Sequence, residues 1–106
     1  MTKELVRFLE ARLREEADLA RRCDGDDGCG EWSARGDMVD FCQTDLSGLP
    51  PTIALHVALH DPARVLREIE AKRRILARHA RDPWPCHDLR DLALPYADHP
   101  DFPSRA

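Results

Sequence analysis

Aromatic side chains are scarce in this chain of 106 residues, where three Phe, two Trp and one Tyr make up 6% of the sequence. Leu, Ala and Val must therefore supply most of any hydrophobic core. The length indicates one domain, and a domain of this size buries about two-thirds of its unfolded surface, which is enough for one modest core. We therefore expect residues 1–106 to form a single domain.

Long apolar runs are also absent, since none approaches the roughly 20 residues of a membrane-spanning helix. The N-terminal stretch MTKELVRFLEARLREE is charged and amphipathic, without the apolar core of a signal peptide. We therefore expect a cytoplasmic protein that does not contact membranes. Thiols stay reduced in the cytoplasm, so the four cysteines are expected to be free, metal-bound or reactive, with no disulfide framework.

The sequence lacks a glycine-rich phosphate loop, a nucleophile elbow and a paired-carboxylate arrangement. It therefore gives no direct support for an enzyme. The preferred prediction is a small non-enzymatic accessory or interaction protein. The sequence leaves its process and its oligomeric state open.

The formal net charge of −4 conceals a strong asymmetry along the chain. Residues 63–81 contain seven Lys or Arg and two Glu, whereas residues 23–62 contain eight Asp or Glu and one Arg. Mutual neutralisation within the fold is the simplest explanation. The alternative is an acidic protein partner that docks on the basic helix through Arg64, Arg67, Arg74, Arg78 and Arg81. Nucleic acid is a less favoured partner, because the chain as a whole is acidic.

Hydrophobic periodicity predicts a mainly α fold, with three or four helices in a compact bundle and a small β-hairpin between helices 1 and 2. The first helix is predicted over 3–22, because Leu5, Leu9 and Leu13 recur at helical spacing. A Cys/Asp/Gly loop and the hairpin occupy 23–45. The remaining predicted elements are helices over 53–60, 62–80 and 86–94, and an irregular tail over 95–106.

The dipeptide Asp61-Pro62 marks the boundary between the second and third predicted helices. Asp is a good N-cap, and Pro suits the first helical position because no amide hydrogen is needed there. His56 and His60 precede this cap and lie one helical turn apart, so both imidazoles could reach one metal ion. His56, His60 and Asp61 are therefore an alternative metal site, and they would serve a small metal-dependent hydrolase.

Two longer strings carry a resemblance to a known family. HDPARVLREIEAKRRIL at 60–76 and PWPCHDLRDLALPYADHPDF at 83–102 resemble a family of small actinobacterial and actinophage proteins of unknown function. The similarity spans roughly residues 52–103. It implies a zinc site, because members often carry a Cys-x-x-Cys between the long helix and the Pro-Cys segment. This chain lacks that motif between His79 and Cys86.

Other cysteines of the chain could replace the missing pair. Zinc favours four sulfur or nitrogen ligands in tetrahedral geometry. Cys23 and Cys29 lie in the acidic loop, while His79 ends the long helix and Cys86 follows it. The simpler interpretation is that the cysteines are ordinary small apolar residues or free thiols. The alternative is a structural zinc site made of Cys23, Cys29, His79 and Cys86.

Overall fold

A computed structural model of the protein describes residues 1–24 and 28–103 and is mainly α-helical. Within these residues there are four α-helices: α1 (Thr2–Asp24), α2 (Pro51–Leu59), α3 (Pro62–His79) and α4 (His87–Ala93). A 3₁₀ turn, Leu94–Tyr96, follows α4. A small antiparallel sheet lies between α1 and α2 in the chain, made of β1 (Ser33–Arg35), β2 (Met38–Asp40) and β3 (Asp45–Leu46). The predicted fold class is confirmed, and each predicted helix end lies within two residues of the observed one.

The chain folds as two compact units. The terminal unit comprises residues 1–15 and 69–106, and the central unit comprises residues 16–68. The prediction of a single domain stays a prediction. Among the described residues, no helix combines the length and the apolar character that crossing a membrane requires.

The core of the terminal unit is built from the predicted apolar stripes. Leu5, Leu9 and Leu13 of α1 expose at most 2% of their surface, because residues three or four apart share one helix face. Burying each such side chain stabilises the fold by about 1.5–3 kcal/mol. The same core contains residues from α3, α4 and the position before α4: Ile69, Leu76, Cys86, Leu89 and Ala93.

An aromatic cluster holds the tail of the terminal unit against α1. The ring of Phe8 makes edge-on contacts with Tyr96, His99 and Phe102, at centroid distances of 6.1, 5.5 and 5.5 Å. Tyr96 and Phe102 therefore pin the tail to α1. Its last three residues, 104–106, lie outside the described part of the chain.

The buried Arg12 lies beside this cluster. Its guanidinium sits 5.0 Å from the Phe8 ring centroid, and Nη1 lies 2.7 Å from Nε2 of His99. Nη2 donates to Glu15 at 2.9 Å, whereas the buried Nε has no hydrogen-bond partner. Nη1 also lies 3.9 Å from a carboxylate oxygen of Asp101, so the tail supplies part of the charge compensation of Arg12.

The sheet of the central unit extends the predicted hairpin by one strand. β1 and β2 pair in antiparallel register, with Ala34 opposite Val39, across a turn in which Gly36 has a φ of +55°. The third strand, β3, pairs with β2 and was not predicted, because two residues are too short to show an alternating pattern. Helix α2 packs against β1 and β2. Val39 of β2 and Ala54 of α2 are completely buried.

The N-terminus of α3 is fixed by Asp61, as its sequence context predicts. One carboxylate oxygen accepts the Arg64 amide at 2.8 Å, and the other accepts the Trp32 amide at 3.1 Å. The Gly30 carbonyl accepts the Ala63 amide at 2.9 Å. Asp61 therefore caps α3 and also ties the segment before β1 to it.

A disulfide joins Cys29 and Cys42 within the central unit, with the Cα atoms 5.4 Å apart. The expectation of four reduced thiols is therefore wrong for this pair. The turn between β2 and β3 brings the two cysteines together. The expectation of reduced thiols rests on the cellular compartment alone and takes no account of that proximity. Cys42 has a φ of +77° in this turn, where the Phe41 amide donates to the Thr44 carbonyl. Cys23 and Cys86 are free thiols.

Candidate metal centre

Three potential metal ligands converge where α3 ends and α4 begins. His79 is the last residue of α3, Cys86 immediately precedes α4, and Asp88 lies in the first turn of α4. One imidazole nitrogen, the thiol sulfur and one carboxylate oxygen all lie within 4.8 Å of one another. This is the one group of three His, Cys, Asp or Glu ligands found among residues 1–24 and 28–103.

Backbone hydrogen bonds shape the connection between the two helices. The Asp82 amide donates to the His79 carbonyl at 3.0 Å, and the Arg90 amide donates to the Cys86 carbonyl at 3.1 Å to begin α4. The Thr2 hydroxyl donates to the Asp82 carbonyl at 3.0 Å. The side chain of Thr2, the first residue of α1, therefore anchors this connection.

Asp82 orients the imidazole of His79 from the side opposite Asp88. Nδ1 of His79 lies 2.7 Å from an Asp82 carboxylate oxygen, and Nε2 lies 3.1 Å from an Asp88 oxygen. The Cys86 thiol donates to the same Asp82 oxygen at 3.5 Å. The hydrogen bond from His79 holds the pKa of the Asp82 carboxyl below its usual range, and the bond from Cys86 lowers it further against the opposing effect of desolvation. Asp82 is therefore an anionic acceptor that fixes the ring.

This donor set matches the preferences of zinc. Zinc binds Cys sulfur at about 2.3 Å and His nitrogen or carboxylate oxygen at about 2.0–2.2 Å. Thiolate and imidazole together disfavour magnesium and calcium, which take oxygen ligands. A ligating His commonly donates its other ring nitrogen to a carboxylate, as Nδ1 of His79 does to Asp82. Three protein ligands would leave a fourth position for water or another donor.

The three ligands differ in their access to solvent. Cys86 is 7% exposed and belongs to the core, whereas the side chains of His79 and Asp88 are 27% and 60% exposed. An ion could therefore approach from the side of Asp88. The buried thiol would provide the fixed end of the site, and Asp88 the mobile end.

Of the four residues in the predicted zinc set, the structure brings His79 and Cys86 together in the terminal unit. Cys23 and Cys29 belong to the central unit. Cys29 is not a ligand in this structure, because its sulfur is bonded to Cys42 and is not the thiolate that zinc binds.

Sequence reasoning missed the two carboxylates of the site. Asp82 and Asp88 are two of many carboxylates in the chain, and no local pattern marks them as neighbours of an imidazole. The signal is the clustering of two aspartates, one cysteine and two histidines within 79–88, around a helix boundary.

The alternative metal site has a different arrangement. The rings of His56 and His60 lie side by side, with centroids 4.3 Å apart, and Nδ1 of His60 lies 2.7 Å from the His56 carbonyl oxygen. Both carboxylate oxygens of Asp61 accept backbone amides. Asp61 is therefore occupied as a cap, and the structure does not assemble these three residues as a ligand group.

The predicted basic residues fall into two groups. Arg64 pairs with Glu68 at 2.8 Å and Arg74 pairs with Glu70 at 3.2 Å, each one helical turn away. The other three arginines, Arg67, Arg78 and Arg81, are exposed. Exposed pairs of this kind contribute at most about 1 kcal/mol, so they do not prevent a partner from competing for the arginines.

The chain was compared with protein-family models, curated proteins and solved structures. No curated protein and no solved structure matches it. One family model, described as a family of unknown function (DUF6221), matches residues 2–105, so the match includes the candidate metal ligands, the sheet and all four helices. The chain therefore belongs to the family of unknown function DUF6221.

Proposed function

We propose that this protein is a non-enzymatic accessory or interaction protein stabilised by one zinc ion at His79, Cys86 and Asp88. One observation carries the proposal. Three donor atoms of different chemistry lie within 4.8 Å of one another, and an Asp82 carboxylate oxygen lies 2.7 Å from Nδ1 of His79 and orients its ring. Acidic groups alone are common on protein surfaces, but a buried thiol beside an oriented imidazole is specific to soft and borderline metals.

Zinc would supply stabilising interactions that the junction between α3 and α4 otherwise lacks. Helix α4 has seven residues, and isolated helices shorter than about 12 residues are marginal in water. Its N-cap residue, Cys86, makes no side-chain cap hydrogen bond. A metal ion bound by Cys86, Asp88 and His79 would fix the first turn of α4 to the last residue of α3.

The state of Asp61 argues against the alternative of a hydrolase built on His56, His60 and Asp61. A hydrolase that used His56, His60 and Asp61 would need this carboxylate as a ligand. Its two oxygens already accept the amides of Trp32 and Arg64. Releasing it would uncap α3, so the capping role is the better explanation of the residue.

Cobalt substitution tests the site directly. Co²⁺ added to metal-free protein is expected to give a thiolate-to-metal charge-transfer band in the near ultraviolet and intense visible bands of a tetrahedral centre. Cys86→Ser should abolish the charge-transfer band. Asp82→Asn should weaken binding by about 10-fold to 100-fold, the usual loss when a residue that orients a ligand is changed.

Cys23→Ser is the matched control, because Cys23 is the other free thiol. It should leave both the spectrum and the affinity unchanged. A spectrum that survives Cys86→Ser, or one that disappears in Cys23→Ser, would refute the proposed ligand set.

A further inference from the structure

Three of the four cysteines belong to the central unit, residues 16–68. Cys29 and Cys42 form the disulfide, and Cys23 is a free, exposed thiol in the last turn of α1. A free thiol near a disulfide can exchange with it, because a thiolate attacks a disulfide sulfur directly. Whether exchange can occur within this chain depends on how near Cys23 lies to Cys29 and Cys42.

The end of α1 brings Cys23 and Cys29 towards each other. The Cys29 amide donates to the Asp24 carbonyl at 2.9 Å, and Gly28 has a φ of +68°. In the Schellman motif, which has these two features, the residue after the glycine commonly contacts the residue whose carbonyl it binds or the one before it, here Asp24 or Cys23. Standard backbone dimensions place the Cα atoms of Cys23 and Cys29 no more than about 11 Å apart. A disulfide needs a Cα separation of roughly 4.4–6.8 Å, so a shift of a few ångströms is enough.

The segment that follows Cys29 also stays against the end of α1. Gly30 has no side chain, and a Cβ at this position would lie 2.5 Å from Oδ1 of Asp24. The absence of a side chain at Gly30 therefore allows the close approach of this segment to α1.

A second set of contacts connects Cys23 with the other half of the disulfide. Cys23 and Trp32 line the same groove of the central unit. The Trp32 ring packs edge-on against the Phe41 ring, with centroids 4.8 Å apart, and Phe41 directly precedes Cys42. Cys23 is therefore connected to both half-cystines through neighbouring residues.

The two sulfurs of the disulfide differ in their access to water. Cys29 is 3% exposed, whereas Cys42 occupies an exposed position in the turn between β2 and β3. Burial disfavours the charged form of a thiol, and a thiol that ionises more readily is the better leaving group. Cys42 is therefore the sulfur that leaves, and Cys29 is the sulfur that is attacked.

We propose that Cys23, Cys29 and Cys42 form a thiol–disulfide switch. Cys23 loses its proton to water and attacks Sγ of Cys29, so that a Cys23–Cys29 bond forms and the Cys29–Cys42 bond breaks. Cys42 leaves with the electron pair of the broken bond and takes up a proton from water. The exchange needs no external oxidant, and it moves the free thiol from the end of α1 to the turn between β2 and β3. It is independent of the zinc ion proposed above, because the candidate metal ligands belong to the terminal unit.

Alkylation of the native full chain tests the exchange directly. N-ethylmaleimide is added without reductant at mildly alkaline pH, and labelled and disulfide-linked peptides are identified by mass spectrometry. Some molecules should carry the label on Cys23, and others should carry it on Cys42 together with a Cys23–Cys29 disulfide. Cys23→Ser is the matched control, and it should abolish the label on Cys42 because the attacking thiol is gone. A label confined to Cys23 in the unchanged protein, or a label on Cys42 that survives Cys23→Ser, would overturn the proposal.

Cys42→Ser provides a second test, because it leaves Cys29 without its partner. Oxidation with glutathione disulfide should then join Cys29 to Cys23 within one chain, at a rate that does not depend on protein concentration. The helical circular dichroism signal of the variant, which should match that of the unchanged protein, checks that it is folded. Glutathione adducts or disulfide-linked dimers in place of the Cys23–Cys29 bond would contradict the proposed switch.

Discussion

The Asp61 carboxylate accepts hydrogen bonds from two separate parts of the chain. Its carboxylate caps α3 through the Arg64 amide and also holds the Trp32 amide of the segment that leads into β1. The cap could be predicted from the dipeptide Asp61-Pro62 alone. The bond to Trp32 could not, because it joins residues 29 positions apart.

Asp61→Ala is expected to lower the free energy of unfolding by about 1–2 kcal/mol, since it removes a cap and a second amide acceptor. Asp61→Asn should cost less, because Asn is also a good N-cap. Urea denaturation of the three proteins measures the difference. Metal uptake should be unchanged in both variants, and its loss in Asp61→Ala would instead favour a site built on His56, His60 and Asp61.

At the candidate site, two of the four residues predicted as zinc ligands, His79 and Cys86, lie together in the structure. His79 and Cys86 stood out because His and Cys are the usual zinc ligands, and both lie next to a helix boundary. Asp88 and Asp82 did not stand out, since carboxylates are common and nothing local marks which of them will face an imidazole. Cys29 was misassigned because its disulfide to Cys42 depends on a turn that the sequence does not display.

At the level of elements, the helices were predictable and the smallest strand was not. The stripe of Leu5, Leu9 and Leu13 repeats at helical spacing over a long segment, so α1 could be located to within two residues at each end. β3 has two residues and depends on pairing with β2. Its formation is a tertiary effect for which the local sequence holds no periodic signal.

The aromatic cluster around Phe8 leads to a test of how the tail is held. Phe8→Ala should cost about 3–5 kcal/mol, the usual loss for a buried aromatic residue, and should release the tail. Hydrogen exchange should then accelerate at the amides of His99 and Phe102, which form the turns of the tail. Leu19→Ala, an exposed position on the same helix, should change stability by no more than about 0.5 kcal/mol. Unchanged exchange in Phe8→Ala would show that the tail is held by other contacts.

At the scale of the whole molecule, charge is distributed unevenly between the two units. The central unit contains 11 Asp or Glu and 5 Arg, whereas the terminal unit contains 9 Asp or Glu and 11 Lys or Arg. In the sequence this asymmetry is visible as an acidic segment, residues 23–62, followed by a basic helix within residues 63–81. The structure adds that the acidic unit also exposes Leu55 and Leu59.

Zinc-dependent stability is the most direct test of the central claim that a metal ion joins α3 to α4. Untagged protein should contain about one equivalent of zinc by elemental analysis. Removing the metal with a chelator should lower the thermal midpoint and the helical circular dichroism signal, and one equivalent of zinc should restore both, because metal bound only to the folded state stabilises it. Cys86→Ser should show no response to zinc or chelator. Protein that contains less than about a tenth of an equivalent, and whose melting curve is identical with and without added zinc, would contradict the account.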